Sequence, residues 1–211
     1  VYKRQDYDCG NIHSATKALE LAMSNSVING SVSLTKDPEK ILNSDKLVLP
    51  GVGAFGSCIQ KLKSIDGLKE ALDEAVLKKA KPILGICIGL QLMATSSFEG
   101  GKHKGLNWIE GDVIPLDPSD AKLKVPHMGW NNIVVKKNHP VFQDIKISDY
   151  YFVHSYKFSP LDSKTIISST NYGEDFASSL GRDNILGTQF HPEKSQAAGV
   201  TLLKNFIEWS P

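Results

Sequence analysis

Cysteine is scarce in this chain. Among 211 residues only Cys9, Cys58 and Cys87 occur, an odd and sparse set that supplies neither a disulfide framework nor paired metal-ligand spacing. No metal or cofactor is expected, and a reducing, cytoplasmic setting fits. Long apolar runs are also missing. The longest, Pro82 to Ala94, is interrupted by Gln91 and is too short to span a bilayer, and no signal peptide is visible. Neither sign of charge is in excess: 24 basic residues face 23 acidic ones, for a net charge of +1, so the electrostatics point to neither nucleic acid nor a membrane surface. Internal repeats and low-complexity segments are absent. The length suits one large α/β domain, with no boundary expected inside residues 1–211.

The first half alternates helical and strand-like patterns. Ile12, Ala15, Leu19, Ala22 and Met23 form one helical stripe, and Leu68, Ala71, Leu72, Ala75 and Val76 form another. Around them lie predicted strands at Ser31 to Leu34, Lys46 to Leu49 and Pro82 to Ile86, which together imply a mostly parallel sheet with crossover helices. The Lys78, Lys79 and Lys81 cluster reads as a solvated helix end. In the second half, short β-like runs at Asn132 to Val135, Tyr150 to Val153, Thr165 to Ser169, Phe176 to Ser179 and Ile185 to Phe190 suggest an antiparallel extension. A last helix is predicted over Ala197 to Trp209.

Chemistry concentrates in three segments. In KPILGICIGLQ an apolar strand runs into a helical pattern marked by Leu90, Met93 and Ala94, and Cys87 sits at the bend between Gly85 and Gly89. G-x-C-x-G is the thiol form of a nucleophile elbow, where a sharp turn exposes the reactive atom and close backbone approach favours glycine. A helix start behind the sulfur favours the thiolate. Read alone, Cys87 is equally a small buried hydrophobe. In GTQFHPEKS, His191 and Glu193 are two residues apart at the end of a short apolar run, with Pro192 restraining the backbone between them. In an extended stretch such residues share a side, so the carboxylate can reach and orient the imidazole. A lone H-P-E is otherwise an ordinary surface turn. In LVLPGVGAFG, a strand enters a loop whose glycines allow the backbone at Gly51 to Gly53 to turn N–H groups toward a developing negative charge, beside the Ile88 N–H. The loop lacks the G-K-[ST] ending of a P-loop, which argues against nucleotide binding. A connection without duty is the plain alternative.

Taken together, GICIGLQ, PGVGAFG and HPEKS resemble the class I (triad) glutamine amidotransferases. KVPHMGWN, Lys124 to Asn131, and YYFVHSY, Tyr150 to Tyr156, narrow the likeness to the glutaminase subunits of imidazole glycerol phosphate synthases. The likeness runs from about Asp6 to the last helix. It implies a single-domain, flavodoxin-like α/β fold with a mostly parallel central sheet, flanking helices and an antiparallel extension. It also implies that Cys87 attacks the side-chain amide of L-glutamine, that His191 protonates the departing ammonia, and that Glu193 orients His191. A glutamyl thioester is then hydrolysed by water. Gly53 and Ile88 would border the oxyanion, and Gln91, Glu99, Ser155 and Tyr156 would hold the glutamine. Without the family, Gln91 is a helix-surface amide, Glu99 a solvated acid beside Gly100 and Gly101, and Ser155 and Tyr156 core or edge residues.

The family's partner is a separate (β/α)₈-barrel cyclase that receives the ammonia and makes imidazole glycerol phosphate and AICAR in histidine biosynthesis. Met128 and Trp130 would face it in a heterodimer, although both residue types also suit a core. A subunit serving another acceptor, such as a surface-sugar precursor, and a catalytically silent interaction subunit are the alternatives. The beginning of the chain departs from the family pattern: VYKRQ precedes DYDCGN, and Lys3, Arg4 and Gln5 would be costly in a central strand. Residues 1–5 are therefore expected not to be the native beginning.

Overall fold

The computed structural model describes residues 12–120 and 122–211. The expectation about residues 1–5, like the DYDCGN run, falls outside them. In chain order the elements are α1 (Ile12–Ser24), α2 (Pro38–Asn43), β1 (Leu47–Gly51), α3 (Phe55–Ser64) and α4 (Leu68–Asp73), whose end winds on as a π turn (Glu74–Lys78). Then come β2 (Ile83–Cys87), α5 (Ile88–Leu92), β3 (Ser96–Ser97), β4 (His103–Lys104), β5 (Gly111–Pro115), β6 (His127–Asn132) and β7 (Val134–Val135). The chain ends with β8 (Asp149–His154), β9 (Tyr156–Pro160), β10 (Ile166–Asn171), β11 (Asp175–Arg182), β12 (Ile185–Thr188) and α6 (Gln196–Glu208).

The largest sheet has the order β1-β2-β12-β11-β10-β7. Its first three strands are parallel and the rest antiparallel, so the expected parallel core with an antiparallel extension is present. Strand β2 lies between two parallel neighbours, and Ile83 through Cys87 are all buried. A strand covered on both faces needs an unbroken apolar run, which ILGIC supplies. The predicted stripes also hold: Ile12, Ala15, Leu19 and Ala22 face the core from α1, and Leu68, Ala71, Leu72, Ala75 and Val76 do so from α4 and its π turn.

Several expectations fail for identifiable reasons. Ser31 to Leu34 forms no strand: Ser31, Ser33 and Leu34 are exposed, and only Val32 touches the core. Two apolar side chains alternating with serines bury too little surface to hold a ladder. Asn132 to Val135 is not one strand but the last residue of β6, a break at Ile133, and the two-residue β7. Ile133 is buried on the inward side that His127 begins, while Val134 and Val135 beyond it are exposed. The helix after Cys87 ends at Leu92, short of the predicted Met93 and Ala94, because Met93 closes it and the chain turns into β3. Lys81 is not a solvated helix end. Its ammonium is bonded to the carbonyls of Leu42 and Ser44, tying the end of α2 to the entry of β2. Strands β5 and β9, which pair antiparallel in a second sheet, carried no clear period in the sequence.

Candidate active site

The parallel pairing of β2 with β12 explains how residues more than a hundred positions apart meet. Thr188 lies opposite Ile86, so both strands release the chain at the same carboxyl edge, Cys87 from one and Gln189 to His191 from the other. Crevices outside the carboxyl ends of parallel strands are where α/β sheets bind ligands.

Cys87 occupies a strained elbow, with φ 54° and ψ −110°. A non-glycine residue held there costs about 1–3 kcal/mol, which surrounding packing must overcome. The two flanking glycines are required sterically. A Cβ on Gly85 would lie 2.7 Å from the Gly89 carbonyl, and one on Gly89 would overlap the Leu49 carbonyl oxygen. The helix thus packs directly on β2 and β1, and the buried sulfur is fixed at the edge of a cavity of about 280 Å³. Ile88 opens α5, where first-turn N–H groups have no intrahelical acceptor.

His191 is 1% exposed, and its Nδ1 lies 2.8 Å from Glu193 Oε1. The expected contact is therefore present, though a turn makes it: Pro192–Lys194 is a 3₁₀ turn rather than extended chain. The turn is clamped by the His191 N–H donating to Tyr151 O at 2.9 Å and by Ser195 Oγ donating to His191 O at 2.6 Å. Burial alone would push the imidazole down. The Cys87 sulfur and the Glu193 carboxylate more than offset it and hold His191 up at about 9. At neutral pH it is an imidazolium, ready to donate a proton.

Gly53 sits at φ 107°, a conformation glycine adopts without strain, and no atom crowds the place of a Cβ. The Cys58 thiol contacts Val52 O at 3.6 Å, and the Phe55 N–H donates to Glu99 Oε2 at 2.7 Å, so α3 and Glu99 hold the two ends of this loop. Glu99 is thus not simply a solvated acid. Gln91 is 1% exposed, not a surface amide. Its Nε2 donates to Tyr156 O and to Gln189 Oε1, both at 3.0 Å, while its Oε1 has no partner.

Cys87, His191, Gly53, Ile88, Gln91, Glu99, Ser155 and Tyr156 all line the one cavity, together with Val52, Pro126, Val153 and His154. Glu193 stands behind His191. Met128 and Trp130 do not line the cavity; they are 62% and 50% exposed on β6, outside the core. Sequence reasoning missed Gln189, which is wholly buried and whose Nε2 lies 3.7 Å from Cys87 Sγ. Its signal was a polar residue inside the run from Ile185 to Phe190. It also missed His154. A buried thiol at a strained elbow, an imidazole paired with a carboxylate, and one unpaired amide acceptor, Gln91 Oε1, around a small cavity suit acyl transfer from a polar substrate. Among the described residues no group of acidic, histidine or cysteine side chains could hold a metal ion.

Comparison with known proteins agrees with this geometry. The family profile described as glutamine amidotransferase class-I matches residues 7–209. The chain belongs to the class-I glutamine amidotransferase family. Within it, this amidotransferase is 48% identical to the imidazole glycerol phosphate synthase subunit HisH of Brucella suis, over 98% of this chain and 97% of that one. The HisH subunit of Rhodospirillum rubrum is 48% identical, with the same coverage. Among solved structures, the glutaminase domain of Trypanosoma brucei CTPS with bound acivicin superposes with a TM-score of 0.64 at 14% identity, covering all of this chain and 93% of that one. That likeness establishes the class-I amidotransferase fold. Among the described residues no helix is long and apolar enough to cross a membrane.

Proposed function

We propose that this chain is the glutaminase subunit of an imidazole glycerol phosphate synthase, releasing ammonia from L-glutamine at Cys87 and delivering it to a (β/α)₈-barrel cyclase in the cytoplasm. The meeting of Cys87, His191 and Glu193 at adjacent strand ends carries the reading.

The Cys87 thiolate adds to the side-chain amide carbon of glutamine, and the carbonyl electrons move to oxygen. N–H groups of Ile88 and of the Gly51–Gly53 loop hold that oxyanion; one such donor is worth about a hundred- to a thousandfold in rate. His191 gives its proton to the departing nitrogen, ammonia leaves, and a glutamyl thioester remains. The now neutral His191 takes a proton from water, whose oxygen attacks the thioester. Collapse returns the electron pair to sulfur and frees glutamate. Glu193 keeps the ring in place and steadies the imidazolium. The unpaired Gln91 Oε1 and the second carboxylate oxygen of Glu99 are suited to the substrate ammonium, and Ser155 and Tyr156 close the far wall. The exposed Met128 and Trp130 supply an apolar face of the residue types enriched at interfaces.

The test is ammonia release from glutamine with and without a purified cyclase and its ligand. Cys87→Ala and Cys87→Ser should abolish turnover while leaving cyclase binding intact, and the wild type should be stimulated by the partner. Turnover surviving in Cys87→Ala would refute the assignment of the nucleophile, and equal wild-type activity with and without the cyclase would refute the coupling.

A further inference from the structure

Beyond Gln91 the hydrogen bonds continue away from the cavity. The Tyr156 carbonyl that accepts from Gln91 also lies 2.9 Å from His154 Nδ1. His154 Nε2 is 2.9 Å from His127 Nδ1, and His127 Nε2 is 3.2 Å from Asn131 Nδ2. Elementary donor bookkeeping then sets every proton. A carbonyl oxygen only accepts, so His154 Nδ1 carries its hydrogen. The other nitrogen of a neutral ring accepts, so His127 Nδ1 must donate to it, and His127 Nε2 must accept from the Asn131 amide. In the other direction, Gln91 passes its second hydrogen to Gln189, whose own amide lies on the sulfur. One unbroken line of six side chains and a backbone carbonyl runs from β6 to the nucleophile.

The setting keeps the two rings neutral. His127 stacks on Tyr172 at 4.0 Å and on Phe152 at 4.8 Å, and His154 lies 5.0 Å from Phe176. Burial pushes His127 down to about 4. Burial likewise pushes His154 down to about 3, against the Tyr156 carbonyl and helped by the neighbouring His127 and His191. A neutral, tautomer-locked pair can hold one orientation of a polar partner across the physiological range. Aromatic filler alone would need no such pairing, and each ring nitrogen here has a partner.

We infer that His127 and His154 are positioning residues for glutamine, fixing the Tyr156 carbonyl and through it the Gln91 amide so that Gln91 Oε1 is left facing the substrate. The inference rests on the reading of Gln91 as a glutamine-binding residue. Asn131, the outer member, sits on the same strand as Met128 and Trp130.

The experiment measures KM and kcat for glutamine, with the cyclase present, for wild type, His127→Phe and His127→Gln. His127→Phe keeps the stacked ring and loses the line; KM should rise about tenfold with kcat within about threefold. His127→Gln can donate to His154 and accept from Asn131, so KM should return to within about threefold of wild type. An unchanged KM in His127→Phe, or an equal rise in both variants, overturns the inference while wild-type turnover leaves the glutaminase reading standing. A wild-type chain that releases no ammonia sinks both. Should His127→Phe fail to fold, imidazole nitrogen chemical shifts of the wild type decide: His154 protonated at Nδ1 and bare at Nε2 is expected, and a proton on Nε2 overturns the inference.

Discussion

Two buried histidine environments meet at one cavity, which His154 and His191 both line, and behave oppositely. His191 is held up at about 9, whereas His127 and His154 are pushed down to about 4 and 3. All three rings are at most 5% exposed, so burial does not separate them. Their partners do. His191 has the Glu193 carboxylate on one nitrogen and the Cys87 sulfur as a neighbour; the other two have a carbonyl, an amide and each other. Desolvation sets the downward push, and only an anion in contact reverses it. On the proposed mechanism, one fold would thereby keep an acid for the leaving ammonia beside a neutral pair that orients without titrating.

The sharpest way to break that contrast is to remove the anion. Glu193→Gln leaves Cys87 alone to hold the buried His191 ring up, so its pKa should fall below about 9 and kcat should drop by about a hundredfold or more. The pH dependence of kcat checks both; an unchanged profile would show that Glu193 does not set the ring's charge. A second variant separates the nucleophile's support from its electrostatics. Gly89→Ala drives a Cβ into the Leu49 carbonyl and should cost about 1–3 kcal/mol of stability, read by denaturant melts, with ammonia release falling as the elbow shifts.

Stability against pH distinguishes the two environments without mutation. A depressed histidine favours the folded state above its unfolded value of 6.5, so the contribution of His127 and His154, with His139 also lowered to about 4 by burial, disappears as pH falls from 6.5 toward 4 and 3. The raised His191 works the other way: its contribution is complete below 6.5 and is lost as pH rises through about 9. Tm should therefore fall by about 5 °C or more on each side. His127→Phe should flatten the acid limb and leave the alkaline one. The smallest effect is expected at the exposed face. Trp130→Ala should leave the chain's own stability within about 0.5 kcal/mol but weaken its binding to the cyclase about tenfold or more, measured by titration calorimetry.

What could be read from the residues follows the same division. The Cys87 elbow and the His191–Glu193 contact were legible because each is a local pattern, although the contact was expected from extended chain and a 3₁₀ turn makes it. The parallel core was legible because a strand buried on both faces needs an unbroken apolar run such as ILGIC. Gln189 was not, since a glutamine inside an apolar run acquires its meaning only when β12 lies beside β2. The histidine line was hidden for a related reason: His127 and His154 are partners through the antiparallel pairing of β6 with β8, a register fixed by tertiary contacts. Ser31 to Leu34 misled because alternation was counted without a strand to pair with.

The most direct test of the central claim is to quench the chain in acid during turnover with glutamine and cyclase, then weigh its peptides. A glutamyl adduct confined to the peptide carrying Cys87, formed and lost at the rate of ammonia release, is expected. Steady ammonia release with that peptide unmodified, or an adduct on another residue, would contradict it.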